Sequence, residues 1–250
     1  MPASLSVAER PDGVRVVTLS NPEKRNALDD GVLEQLFRAF DDPSVRAWVV
    51  RGEGDVFSAG YDLTTLAAPR PRLVDERLGE VFDRLSNHPA PSVALVNGAA
   101  VGAGCELALA CDFRVGGERA SFTLPPARIG VVYARRGMAR VVSRVGEQFA
   151  RWMFLTGRKV DATSAREHGL LDVLASDPEA EAFALAHELA HNAPLAVAGM
   201  KVGLTLLGSD VRDVDSEHFE TLRRRSFASD DAKEGVAAVL EKRSPVFKGR

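Results

Sequence analysis

A chain of 250 residues, 45% hydrophobic and 27% charged, has a globular composition and is long enough to bury one large core or two modest ones. A net charge of -3 and an isoelectric point near 6.0 give no drive towards nucleic acid or anionic membrane, and no stretch is long and apolar enough to span a bilayer. Met1 to Asp12 lacks the order of a signal peptide, and two cysteines, Cys105 and Cys111, make no disulfide framework, so a reduced, cytoplasmic protein is expected.

In chain order, Val14, Val16, Val17 and Leu19 form a short strand that ends at the turn signal Asn21-Pro22. From Asn26 to Phe40, apolar residues recur at spacings of three and four, which predicts an amphipathic helix with Asp29 and Asp30 in its first turn. Ala47 to Val50, Ser92 to Val96 and Phe113 to Val115 read as further strands, each closed by a glycine-containing turn. Strands alternating with helices over residues 13–145 argue for α/β layering. Beyond Gly146 the pattern turns helical: Trp152 to Leu155, Thr163 to His168 with Gly169 as C-cap, then 178–192, 211–227 and 230–242.

Chemistry concentrates in Asn97-Gly98-Ala99-Ala100-Val101-Gly102-Ala103-Gly104-Cys105-Glu106. An apolar strand feeds a small-residue loop that opens into a helix. Glycines permit close backbone approach, and the first-turn N–H groups of a helix have no partners within it. The combination suits an oxygen bearing negative charge. The glycines at 98, 102 and 104 do not match the dinucleotide spacing G-x-G-x-x-G. Apart from Glu106, the helix from Cys105 to Cys111 is apolar on every side and so buried. A buried carboxylate finds partners or stays near neutrality, and the latter would suit proton transfer at an acyl carbon. A second loop, Phe57-Ser58-Ala59-Gly60-Tyr61-Asp62-Leu63, places Asp62 to cap a helix starting at Leu63. Two such loops, each offering one amide, would make a two-donor oxyanion hole.

Asn21-Pro22-Glu23-Lys24-Arg25-Asn26-Ala27-Leu28, the loop from Ser58 to Leu63, and Gly102-Ala103-Gly104-Cys105-Glu106 resemble the three signature stretches of the crotonase (enoyl-CoA hydratase/isomerase) superfamily. Leu155-Thr156-Gly157 leading to Ala162 through Leu171, and the ending Glu241 to Lys248, extend the resemblance over nearly the whole chain. It implies an α/β fold, a ββα spiral core over residues 1–195 and a helical oligomerisation region over 196–250, assembled as a homotrimer or dimer of trimers. It also implies an acyl-CoA substrate, with coenzyme A as part of the substrate and no separate cofactor. The implied oxyanion donors are the amides of Tyr61 and Ala103, with Glu106 as the acid/base. Lys24, Arg25, Ala27, Ala59, Asp62, Leu63, Gly102 and Pro125 would line the substrate site, and Lys242 would reach over from a neighbouring subunit.

Against the resemblance, the position of a second glutamate in typical hydratases falls on Pro126, which has no proton to give. Isomerases of the family also lean on that position. Gly130-Val131-Val132-Tyr133 resembles the methylmalonyl-CoA decarboxylase branch, where a tyrosine holds the substrate carboxylate, but that branch's histidine is replaced here by Tyr61. Packing against the acyl tail is the other role open to Tyr133. An acyl-CoA-binding relative without catalysis is a further alternative. His187-Glu188-Leu189-Ala190-His191 also fits the zinc-protease pattern H-E-x-x-H, with Glu217 or Glu220 as a third ligand. The apolar stripe of Phe183, Ala186, Leu189 and Ala190 accounts for that helix without metal, and no metal is expected.

Overall fold

In the computed structural model, residues 4–62, 64, 74–129, 131–208, 221, 225, 229–241, 243 and 245–250 are described. Strands β1 (Ser4–Glu9) and β2 (Val14–Ser20) form an antiparallel hairpin at the edge of a six-stranded sheet. Three strand–strand–helix units follow. The first is β3 (Ala47–Gly52), β4 (Val56–Ser58) and α2 (Val74–Ser86), preceded by α1 (Asp30–Ala39). The second is β5 (Ser92–Val96), β6 (Ala99–Val101) and α3 (Ala103–Ala110). The third is β7 (Phe113–Gly116), β8 (Ser121–Thr123) and the short α4 (Pro126–Ile129). In each unit the first strand joins the large sheet and the second joins a four-stranded sheet, so like strands pair in parallel. This is the ββα spiral that the resemblance implies.

Helix α5 (Arg135–Thr156) is bent at Gly146, whose φ of 73° is non-helical. The chain continues through β9 (Val160–Asp161), α6 (Ala162–Glu167), β10 (Val173–Leu174), α7 (Pro178–His191), α8 (Pro194–Gly208) and α9 (Asp230–Glu241). Strands β9 and β10 close the small and the large sheet respectively. Trp152 to Leu155 is thus the end of a 22-residue helix rather than a separate one. Apart from residues 221 and 225, the stretch 211–227 lies outside the described residues.

The central strands are buried on both faces, which is why they read as continuous apolar runs. Val17, Trp48, Val50, Ala94 and Val96 face a core shared with α1, α2 and α3. Val16, Val49, Val93, Leu95 and Val115 face α7, whose alanines at 182, 186 and 190 repeat every four residues and allow close approach. Registers Val16↔Val49 and Val49↔Val93 keep these residues in one row across the sheet.

Two further sequence expectations need correction. The helix predicted from Asn26 begins at Asp30, because Arg25 and Asn26 are left-handed (φ 55° and 57°) and Asp29 is the N-cap, accepting from Val32 N–H. The loop before α3 is not plain loop, since Ala99–Val101 is strand β6 of the small sheet.

Candidate active site

Asn26 organises the first wall of the site. Fully buried, it accepts from Asn21 N–H through Oδ1, and its Nδ2 donates to the carbonyls of Glu53 and Val56 at 2.9 and 2.8 Å. Its own carbonyl accepts from the Ser58 hydroxyl, which in turn accepts from Gly60 N–H. Ala59 N–H donates to the Arg25 carbonyl, and Asp62 N–H to that of Leu28, so the 57–62 loop is pinned to the 21–28 turn. Within that loop Tyr61 bridges Leu28, and its hydroxyl donates to Asp30 Oδ1 at 2.7 Å.

Two glycines press this loop against the start of α3. A β-carbon on Gly60 would stand 2.5 Å from the Val101 carbonyl oxygen and 3.2 Å from Ala103 N; one on Gly104 would stand 2.6 Å from the Ser58 carbonyl oxygen. What the glycines admit is therefore each loop to the other. Gly102 has φ 55° and donates its N–H to the Thr123 carbonyl. Ala103 is the first residue of α3, where an N–H has no acceptor inside the helix.

One turn along, Glu106 is 6% exposed on a helix otherwise buried and apolar. Its Oε1 accepts from Arg140 Nη1 at 2.5 Å, while Arg140 Nη2 donates to Asp83 on α2 at 2.7 Å. Of the two outcomes open to a buried carboxyl group, the structure shows the first: Glu106 has a partner, and a guanidinium beside it offsets the cost of burial. Gly137 on α5 makes room, since a β-carbon there would lie 2.9 Å from Glu106 Oε1. Tyr133 completes the cluster. Its hydroxyl lies 3.3 Å from the β-carbon position of Gly102, and its ring packs edge-on to Phe154. Burial pushes the Tyr133 phenol above its usual range, and neighbouring Cys105 and Glu106 act in the same direction.

Residues 9–250 match the family model described as enoyl-CoA hydratase/isomerase. The chain belongs to the enoyl-CoA hydratase/isomerase family. It is 35% identical over 251 residues to the 2,3-dehydroadipyl-CoA hydratase of Escherichia coli K12, covering 98% of each chain. It is 39% identical over 253 residues to a putative enoyl-CoA hydratase of Thermus thermophilus, covering 94% of this chain and 97% of that one. Among solved structures, the enoyl-CoA hydratase of Bacillus anthracis superposes with a TM-score of 0.87 at 28% identity over 98% of this chain and 99% of that one.

The family fold thus brings Tyr61, Gly102, Ala103, Glu106 and Tyr133 to one place. Other candidates lie nearby but are engaged differently. Lys24 Nζ pairs with Asp62 at 2.7 Å, and this bond, with that from Thr64, holds the Asp62 carboxyl down at about 2. Asp62 accepts from both N–H and Oγ1 of Thr64, in the manner of a cap. Ala27 is buried beneath the turn, and the Pro125 carbonyl accepts from Arg128 N–H. Pro126 is buried and opens α4. Leu63 and Lys242 lie outside the described residues.

Sequence reasoning missed Asn26, Asp83, Gly137 and Arg140. Three arginines and a glycine within residues 135–140, in a helical stretch, were the available signal for the last two. The H-E-x-x-H helix is accounted for by local bonds. His187 Nδ1 pairs with Asp12 Oδ2 at 2.9 Å, and His191 Nδ1 bonds the His187 carbonyl at 2.7 Å. Among the described residues no cluster of three or more His, Cys, Asp or Glu could hold a metal ion, and Glu217 and Glu220 lie outside them. Cys105 and Cys111 are buried free thiols, and burial pushes that of Cys111 up to about 12. No helix among the described residues is long and apolar enough to cross a membrane.

Proposed function

We propose that the protein adds water reversibly across the double bond of a 2-enoyl-CoA. The single observation that supports this reading best is the position of Glu106, one helical turn beyond Ala103 and next to the junction of the two loops. The thioester oxygen accepts from the amides of Tyr61 and Ala103, which stabilise the enolate as charge moves onto it. The Glu106 carboxylate takes a proton from water as the oxygen attacks C3, and then returns that proton to C2 as the enolate collapses. One carboxyl group serves both halves, so the balance closes without a second acid at Pro126. Double-bond migration draws less support, because the resemblance gives that reaction to the position Pro126 fills.

The reading carries an acyl-CoA substrate, no cofactor beyond the substrate's coenzyme A, a cytoplasmic setting and a homotrimer or dimer of trimers. Exposed Met200 and Leu204 on α8 support burial of that helix against another subunit. A second reading, decarboxylation of a malonyl-type thioester, is favoured by the Tyr133 hydroxyl lying over Gly102 at the loop junction. One experiment separates the readings: the purified protein is incubated with enoyl-, dienoyl- and malonyl-type CoA thioesters, and products are identified by mass. Gain of one water supports hydration. Loss of carbon dioxide transfers the conclusion to decarboxylation. Tight binding without turnover across the panel would make this an acyl-CoA-binding relative instead.

A further inference from the structure

We infer that Arg140 is the positioning residue of this site: it holds the Glu106 carboxylate ionised and in one orientation, and is itself held by Asp83. The inference rests on the reading of Glu106 as the acid/base and adds which form of that group the fold maintains. Arg140 is only 10% exposed at its side chain, so its guanidinium is screened less by water than a surface cation would be. Its two terminal nitrogens are divided, one to Glu106 at 2.5 Å and one to Asp83 at 2.7 Å. Asp83 also accepts from Arg136 at 2.8 Å, whose side chain is 72% exposed. Charges therefore alternate from the buried end outwards: Glu106, Arg140, Asp83, Arg136.

Such a chain does two things that a lone ion pair does not. The fork of Arg140 is fixed at both tips, so its direction is set by α2 as well as by α5. The Glu106 carboxylate, admitted by Gly137 one turn before Arg140, is then held against α5. Among the described residues the ionisable groups facing it include Arg140 and Tyr133, with Cys105 on its own helix, Arg114 on β7 beyond Cys105, and Asp83 and Arg136 behind Arg140. Arg140 is a cation in direct contact with it. A carboxylate so held is a base before it is an acid, so the first step it supports is removal of a proton.

The test is direct titration of Glu106 in the folded full-length protein. Its side-chain carbon is followed by carbon-13 NMR and assigned by loss of the signal in Glu106→Gln. In Arg140→Gln the midpoint should move up by about one pH unit or more, because the stabilising cation is gone. In Asp83→Asn, whose amide oxygen can still accept from Arg140 and hold its direction, it should stay or move down, because only the anionic charge drawing on Arg140 is removed. Arg140→Lys should hold the midpoint near the parent's while losing the second tip. A parent midpoint unchanged in a folded Arg140→Gln, or an upward move in Asp83→Asn, would overturn the inference; the latter serves if Arg140→Gln does not fold. Failure of the functional reading is separate: it would appear as full turnover in Glu106→Gln whatever the titration shows.

Discussion

Gly137 and Glu106 face each other so closely that a β-carbon on the glycine would fall 2.9–3.0 Å from three atoms of the carboxylate group. Alanine in a helix interior is otherwise better than glycine by about 1 kcal/mol. Crowding a packed site costs about 1–3 kcal/mol. Glu106 is pinned by Arg140 and cannot move aside freely, so crowding should win. Gly137→Ala is expected to lower the melting temperature and reduce turnover. A more stable variant with unchanged turnover would mean that the carboxylate lies elsewhere.

The proposed acid/base is tested by Glu106→Gln, which keeps the shape and removes the ionisable group. Turnover on the thioester identified by the panel should fall on the order of a hundredfold or more, with coenzyme A binding nearly intact. An unaffected rate would remove Glu106 from the mechanism.

The contrast between those two residues shows what the sequence could disclose. Glu106 was legible because it is the one charge on an apolar helix, a local pattern. Gly137 and Arg140 are more than thirty positions away, and their roles depend on α5 crossing α3, which no window contains. The same division runs through the fold. Strands β3 and β5 of the large sheet announced themselves as apolar runs, whereas β4, β6 and β8 are three residues each, too short for a period. Missing β6 led to a loop being expected where the small sheet begins. The helical spacing of Leu28, Val32 and Leu33 predicts a helix that includes Asn26, but its left-handed backbone and three side-chain bonds set it in a turn.

Ala103→Pro removes one amide from the proposed oxyanion hole at a position where proline is well tolerated. Ala103 is the first residue of α3, so no helical hydrogen bond is lost. Loss of one donor typically costs ~3 kcal/mol of transition-state stabilisation. The variant should fold, retain coenzyme A binding and lose about a hundredfold in turnover. A folded variant with parental activity would show that the oxygen is held elsewhere.

Stability should fall on mild acidification because of His88. Its Nδ1 accepts from Trp48 Nε1 at 3.1 Å and from Ala90 N–H at 3.0 Å, while Nε2 faces the Asp42 carbonyl at 3.0 Å. The neutral ring satisfies all three bonds. Burial lowers its pKa from the usual value. Above about pH 6.5 the ring is neutral in both states and contributes no pH dependence. Below that, the unfolded ring binds a proton that the folded ring resists, so stability is lost as pH falls towards the folded value. Denaturant melts at pH 5.5 and 7.5 (on the order of one pH unit either side of that midpoint) should differ more in the parent than in His88→Gln. Equal pH dependence in the two would show that His88 is not held neutral.

Pro126→Glu tests the position at which the resemblance puts a second glutamate. Pro126 begins α4, where its fixed φ suits the first helical position, and its carbonyl accepts from Val131 N–H at 3.1 Å. Glutamate can take the same backbone path, at a cost of about 0.4–1 kcal/mol for the freedom regained by the unfolded chain. The larger cost is burial of a second carboxylate, which would raise the affinity of one of the two for a proton. That is the state a donor to C2 requires, with Glu106 kept as base by Arg140. Hydration of a short 2-enoyl-CoA should therefore rise in Pro126→Glu, with a lower melting temperature. A variant as stable as the parent and no faster would mean that the native reaction has no use for a second acid. The weight would then pass to decarboxylation, where Tyr133→Phe on methylmalonyl-CoA should slow the loss of carbon dioxide. If the parent leaves that substrate untouched, the decarboxylase reading fails as well, and Glu106 is left to carry the proton alone.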